Sequence, residues 1–123
     1  MDALKKIDVD DPDVDMDDAQ RLFYEGELYT GEVAEYQGEA LVSLDTYVEG
    51  RPYGLSRSWY QDGVLKSEGT LQGGRPVGEY REWHQNGMLK SRQVFGEAGY
   101  DLLEEEQWDE AGQQTKAWKR PVG

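Results

Sequence analysis

Residues 47–70 read YVEGRPYGLSRSWYQDGVLKSEGT, and residues 71–94 read LQGGRPVGEYREWHQNGMLKSRQV. Aligned without a gap, the two segments agree at 11 of 24 positions. The shared skeleton is G-R-P-x-G-x-x-R-x-W-x-Q-[DN]-G-x-L-K-S, an internal repeat that takes precedence over any local pattern. Asp62-Gly63 and Asn86-Gly87 sit inside it as hairpin signals. A type I′ turn needs positive φ at both central residues, which Asn, Asp and Gly tolerate. Strands are expected at Leu55–Tyr60 and Glu79–His84 before these turns, and at Val64–Thr70 and Met88–Phe95 after them. Alternation along a strand puts Leu55, Arg57 and Trp59 on one face, with Glu79, Arg81 and Trp83 in the matching places one repeat later. The tryptophans are then expected to stack as a ladder. The pairs Arg51-Pro52 and Arg75-Pro76, flanked by Gly50, Gly54, Gly74 and Gly78, are expected to turn from one hairpin into the next.

Weaker copies flank the central pair. Trp108 and Gly112 follow Trp83 and Gly87 by 25 residues, and Gly26, Gly31, Tyr36 and Gly38 echo the pattern upstream, with Tyr36 in the Trp position. Divergent outer units are expected, because they cap a stack of repeats. The last copy departs most: Glu110-Ala111-Gly112 stands for the Asp-Gly turn, and Ala98-Gly99-Tyr100 for Arg-Pro-x-Gly. The fold class expected is all-β, an elongated, twisted sheet of tandem antiparallel hairpins of about 24 residues. It divides into an acidic segment at 1–20, the repeats at 21–118 and a tail at 119–123.

Composition agrees with a thin structure. Hydrophobic residues make up 37% of the 123, too few for a thick core, while four Trp and eight Tyr supply large burying rings. Fifteen glycines indicate many turns. There is no Cys, which removes disulfides and thiolate metal sites. No apolar run is long enough to cross a bilayer as a helix, and the start of the chain lacks the apolar stretch of a secretion signal, so a cytoplasmic location is expected.

The net charge of −13 disfavours direct binding to nucleic acid or anionic lipid. The charge is uneven: −6 over residues 1–18, −5 over 19–46, +2 over 47–94 and −4 over 95–123. Acidic ends serve solubility, or they receive a basic partner. Candidate partner-binding residues are Glu32, Glu35 and Asp45 with Tyr47 on the N-terminal side. On the C-terminal side they are Asp101, Glu104, Glu105 and Asp109 with Tyr100. The tyrosines would be the anchors.

Catalytic and metal-binding constellations are not apparent. The one histidine, His84, aligns with Tyr60 in the preceding repeat, which reads as a tolerated surface position. No nucleophile elbow, zinc-protease or P-loop pattern occurs. Glu104-Glu105-Glu106 on a strand would alternate faces and not converge. The run from Asp8 to Asp18 fails as a calcium loop, which needs Gly at its sixth position and Glu at its twelfth. Begun at Asp13, those positions hold Asp18 and Tyr24; begun at Asp8, they hold Asp13 and Ala19. No metal and no cofactor are expected. Val14 and Met16, alternating with Asp, are expected to add an edge strand to the sheet.

The G-x-x-x-G followed by W-x-x-[DN]-G-x-L resembles the MORN (membrane occupation and recognition nexus) repeat, in the variant found in bacterial antitoxin and immunity proteins. Tyr24-Glu25-Gly26-Glu27-Leu28-Tyr29-Thr30-Gly31 resembles the entry motif of those proteins. The resemblance covers about residues 22–118. It implies a protein that binds and blocks a cognate toxin, one with a basic surface by charge complementarity. The alternative is a MORN-type interaction scaffold with no toxin partner. Oligomeric state is left open.

Overall fold

The computed structural model describes residues 5–97 and 101–121. They form twelve strands, and among the described residues there is no helix. Nine strands make one continuous sheet. Its order is β1 (Lys6–Asp8), β5 (Gly31–Gln37), β6 (Ala40–Val48), β7 (Arg51–Trp59), β8 (Leu65–Gln72), β9 (Arg75–Trp83), β10 (Leu89–Phe95), β11 (Leu102–Trp108) and β12 (Gln114–Lys119). From β5 to β12 every neighbour is antiparallel and next in sequence; only β1 pairs parallel, against β5. A second sheet contains β2 (Val14–Met16), β3 (Leu22–Tyr24) and β4 (Glu27–Leu28). The hairpin-repeat architecture expected from the sequence is the one observed. The Val14–Met16 strand also forms, but in this small sheet, where Val14, Asp15 and Met16 face Tyr24, Phe23 and Leu22. The edge strand of the main sheet is instead Lys6–Asp8.

Register shows that the repeat runs through four hairpins. Pairing slips by one residue beside Tyr36–Leu41, Trp59–Leu65, Trp83–Leu89 and Trp108–Gln114. Each slip is a bulge at the same place in its unit, next to the Trp or its Tyr36 substitute. A second kind of bulge marks the junctions. Between the pairs Asp45–Ser56 and Tyr47–Pro52, β7 carries two more residues than β6. β9 does the same against β8 between Glu68–Arg81 and Thr70–Val77. Gly54 (φ 115°) and Gly78 (φ 68°) lie in these bulges, in backbone conformations that favour glycine.

The turns differ from expectation in an instructive way. Asp62 and Asn86 keep negative φ, and only Gly63 (95°) and Gly87 (89°) are left-handed. Gly63 N–H donates to the Tyr60 carbonyl at 2.9 Å, and Tyr60 N–H to the Val64 carbonyl at 2.8 Å. His84, Gly87 and Met88 repeat the arrangement. This is the three-residue hairpin loop, a turn followed by a left-handed residue, rather than type I′. The reason lies in the side chains: Asp62 Oδ1 accepts from Val64 N–H at 3.1 Å and Asn86 Oδ1 from Met88 N–H at 3.0 Å, which holds the turn without a second left-handed residue. The divergent last turn has the same backbone pattern, with Gly112 bonded to Asp109 and Asp109 to Gln113. Ala111 has no side-chain acceptor, and Asp109 Oδ1 replaces it by accepting from Ala111 and Gln113 N–H. Doubly left-handed two-residue loops occur at the junctions instead, at Glu49-Gly50 and Gly73-Gly74. Arg51-Pro52 and Arg75-Pro76 therefore open strands β7 and β9 rather than forming the turns.

The buried core is small and lies at one end. Ile7, Leu22, Tyr29 and Val33 form it, with Val9, Val14, Tyr24 and Tyr47 packed alongside. The small sheet docks there through backbone bonds from Leu22 N–H to the Gly50 carbonyl and from Gly50 N–H to the Tyr29 carbonyl, both 2.8 Å. A Cβ on Gly50 would fall 2.7 Å from Leu28 Cδ2, so this junction admits only glycine at its closest approach. The Tyr29 hydroxyl lies 2.9 Å from the Lys5 carbonyl oxygen and 2.8 Å from that of Glu32, tying β1 to β5.

Beyond this end the sheet is a single layer whose tryptophans are half-buried, and Trp118 is 41% exposed. The expected ladder does not stack. The one aromatic pair among the described residues is Tyr24–Tyr29. Equivalent positions in a two-stranded repeat lie two strands apart, about 9–10 Å, too far for ring contact. Consecutive units are joined by the residue after each Trp. The Tyr60 hydroxyl donates to the Trp83 carbonyl at 2.8 Å, and His84 Nε2 donates to the Trp108 carbonyl at 2.8 Å. His84 is thus a structural link and not a merely tolerated surface residue. Because Trp83 is only half-buried, Trp83→Ala is expected to cost about 1–3 kcal/mol rather than the 3–5 of a fully buried ring. Thermal melts check this, and a loss at the upper figure would mean that Trp83 is enclosed.

Candidate functional site

Register sorts the candidate residues between two faces of the sheet. One row crosses eight strands on the first face: Glu35, Ser43, Ser58, Ser67, Glu82, Ser91, Gln107 and Lys116. Asp45, Tyr47 and Glu105 share that face by alternation. Glu32 and Glu104 lie on the second face, where the neighbouring row reads Ala34, Leu44, Arg57, Glu68, Arg81, Arg92, Glu106 and Ala117. The alternation expected for Glu104, Glu105 and Glu106 is observed, and the three carboxylates do not converge.

The two acidic groups do not meet. Those on β5 and β6 are separated from those on β11 by five or six strand spacings, about 24–29 Å. Tyr47 packs against the core, and burial pushes its hydroxyl above the ordinary tyrosine range. Tyr100 lies outside the described residues.

Most of the C-terminal candidates have work within the fold. Asp101 pairs with Arg120. Glu104 lies 3.3 Å from Lys119 and 3.8 Å from Arg92. Arg92 also contacts Glu79 at 2.9 Å and Glu106 at 3.2 Å, so a single guanidinium gathers three carboxylates from β9 and β11. Asp109 holds its turn, as described above. On the N-terminal side, Asp45 accepts from Ser56 Oγ at 2.5 Å. Glu32 and Glu35 have no ion-pair partner among the described residues.

Among the described residues Glu105 is the one buried carboxylate, 7% exposed. Lys116 Nζ contacts Oε1 at 2.5 Å, and Gln93 Nε2 donates to Oε2 at 2.6 Å. The Lys116 bond, then that of Gln93, hold its carboxyl below the usual range. A depressed folded pKa stabilises the fold above the unfolded Glu value of about 4.3, and that stability is lost as pH falls through the folded value. Asp17, lowered first by the Arg21 backbone N–H, acts in the same direction. Melting temperature is therefore expected to fall with pH in the acid range, and Glu105→Gln to flatten part of that slope. An unchanged slope in Glu105→Gln would remove Glu105 from this role.

The largest free charge lies elsewhere, in the N-terminal cap, residues 5–28. It carries nine carboxylates against three cations. The candidates expected from the sequence, Glu32, Glu35 and Asp45, lie downstream of this segment. The structure gives the segment defined turns: Asp10 N–H donates to Asp8 Oδ1, Asp13 N–H to Asp11 Oδ1, and Arg21 N–H to Asp17 Oδ1. Asp10, Asp13, Asp15 and Asp18 are exposed, and none accepts a side-chain hydrogen bond. The alternating Asp and apolar residues, with β2 turning Val14 inward, are the signal that could have located them. Among the described residues no cluster of His, Cys, Asp and Glu is arranged to hold a metal ion. Among the described residues a shallow concavity on the first face is lined by Glu35, Ser43, Ser58, Tyr60 and Lys66. No family model, curated protein or solved structure matches the chain.

Proposed function

We propose that this protein is an antitoxin or immunity protein that binds a cognate bacterial toxin and covers its active site, acting by binding and not by catalysis. The observation that carries this reading is the acidic cap, whose four exposed aspartates lie on the small sheet and its flanking turns, docked at one end of the main sheet. The resemblance of the Trp–turn repeat to MORN-type antitoxins supports the same reading. Toxins that act on nucleic acid have basic clefts, and a surface with net charge −6 over residues 5–28 is attracted to such a cleft. Inhibition then follows from occlusion: the toxin's substrate competes with a protein domain that fills the same electrostatic well. Fixed carboxylates suit this task better than a disordered acidic tail, because less conformational entropy is lost on docking. The test pairs the gene with the candidate toxin gene beside it in its genome. Co-expression is expected to restore growth that the toxin alone arrests, and the two purified proteins to co-elute. Growth arrest unchanged by co-expression, with the protein present and folded, would refute the reading for that pair.

A further inference from the structure

Among the described residues the sheet ends at β12, which has no further partner strand. Arg120 N–H donates to the Leu103 carbonyl at 2.8 Å. The register that continues from this bond pairs Trp118 with Glu105 and Lys116 with Gln107. Antiparallel pairs alternate between bonded and non-bonded positions, so Lys116, Trp118 and Arg120 turn their amides inward to β11. By the same alternation Ala117 and Lys119 turn theirs outward, where no strand pairs with them among the described residues, while Thr115 is the extra residue of the bulge beside Trp108. All six residues of β12 are exposed, and Trp118 is among the largest exposed apolar side chains. Lysines on an edge ordinarily repel an incoming strand. Here Lys116 is held by Glu105, Lys119 by Glu104 and Arg120 by Asp101, all from β11 or the residue before it. The edge is neutralised and its amides remain available.

We propose that this edge pairs with β12 of a second copy, joining two sheets about a two-fold axis at Ala117. The strand is self-complementary in that register. Ala117 meets Ala117 of the second copy, where a small side chain lets the strands approach. Thr115 lies opposite Lys119, and Lys116 opposite Trp118, twice over by symmetry. No lysine faces a lysine, and each Trp118 ring gains a lysine stem and its cation as cover. The acidic caps do not oppose this contact. β1 and β12 are at opposite edges, eight strand spacings or about 38 Å apart, several Debye lengths at physiological salt. The interface is one strand wide, which places it among weak, concentration-dependent contacts. The proposal does not depend on the toxin-binding reading, which involves the other end of the sheet.

Sedimentation equilibrium of the purified full chain tests it. A monomer–dimer equilibrium with dissociation constant in about the micromolar to millimolar range is expected. Ala117→Pro removes an outward N–H and no inward one, and proline is tolerated on an edge strand. Ala117→Lys puts two cations at the axis while leaving each monomer a lysine beside Glu106. Both variants are expected to keep the far-ultraviolet spectrum and melting temperature of the dilute wild type and to weaken the dimer at least about tenfold. A wild type that stays monomeric throughout overturns the proposal. So does a dimer that persists unweakened in either folded variant, since its interface would lie elsewhere.

Discussion

Leu22→Ala will lower the stability of the protein by about 2–5 kcal/mol, the range for truncating a buried leucine. Leu22 is 1% exposed and is the largest fully enclosed side chain among the described residues. It lies where three parts of the chain meet: the small sheet, the Glu49-Gly50 junction and the Tyr29 tie. Its backbone bonds to Gly50 and Tyr29 survive the substitution, so the loss reports packing alone. The core around it comprises four buried residues, and neighbours drawn from short strands and turns have little freedom to collapse into the space. A domain of this size has a total stability of roughly 5–15 kcal/mol, so the change removes a large share of it. Leu89, half-buried on the single-layer sheet, is the comparison: Leu89→Ala should cost less. Urea denaturation of both variants measures the difference. Equal losses would mean that the core is not confined to the capped end.

Neutralising the cap is expected to slow binding without harming the fold. Changing Asp10, Asp13, Asp15 and Asp18 to Asn takes the net charge from −13 to −9. None of the four side chains accepts a hydrogen bond in the fold, and removing like charges relieves mutual repulsion, so melting temperature should hold or rise. Association with a basic toxin should slow about tenfold or more at low salt, because steering by such charges changes on-rates by 10 to 1,000-fold. The gap should close as salt is raised, and dissociation should change little. Stopped-flow mixing with the toxin identified by growth rescue measures both rates. An on-rate equal to that of the wild type at low salt would move the docking surface away from the cap.

The repeat and its hairpins were legible because the Asp-Gly and Asn-Gly turns and the 24-residue period are local signals of chain geometry. The faces were legible too, since alternation follows from the pleat. The turn type was not. Asp62 and Asn86 suit a left-handed backbone and also suit an acceptor role, and composition alone does not choose between them. The tryptophan stack failed for a reason of dimension: a period of two strands doubles the spacing between equivalent rings. Of the candidate binding residues, Glu32 and Glu35 have no ion-pair partner among the described residues. Glu105 and Asp109 are engaged in contacts that depend on cross-strand register and turn closure, neither of which a charge count registers. His84 was underestimated because its partner is a backbone carbonyl 24 residues away.

The side-chain bridges from Tyr60 and His84 each reach one hairpin forward, and the buried core anchors only the first. The sheet is therefore a cantilever, fixed at its capped root and held along its length by nearest-neighbour links. A disturbance in one unit passes to the next through the strand ladder and the side-chain bonds that cross the junction, such as Tyr60 to Trp83, Arg92 to Glu106 and Gln93 to Glu105, and it weakens with each step. Local opening then begins at the unsupported tip and has to work inward. Support is therefore uneven along the sheet, with the buried side chains at the acidic root and the outer hairpins held by their neighbours alone.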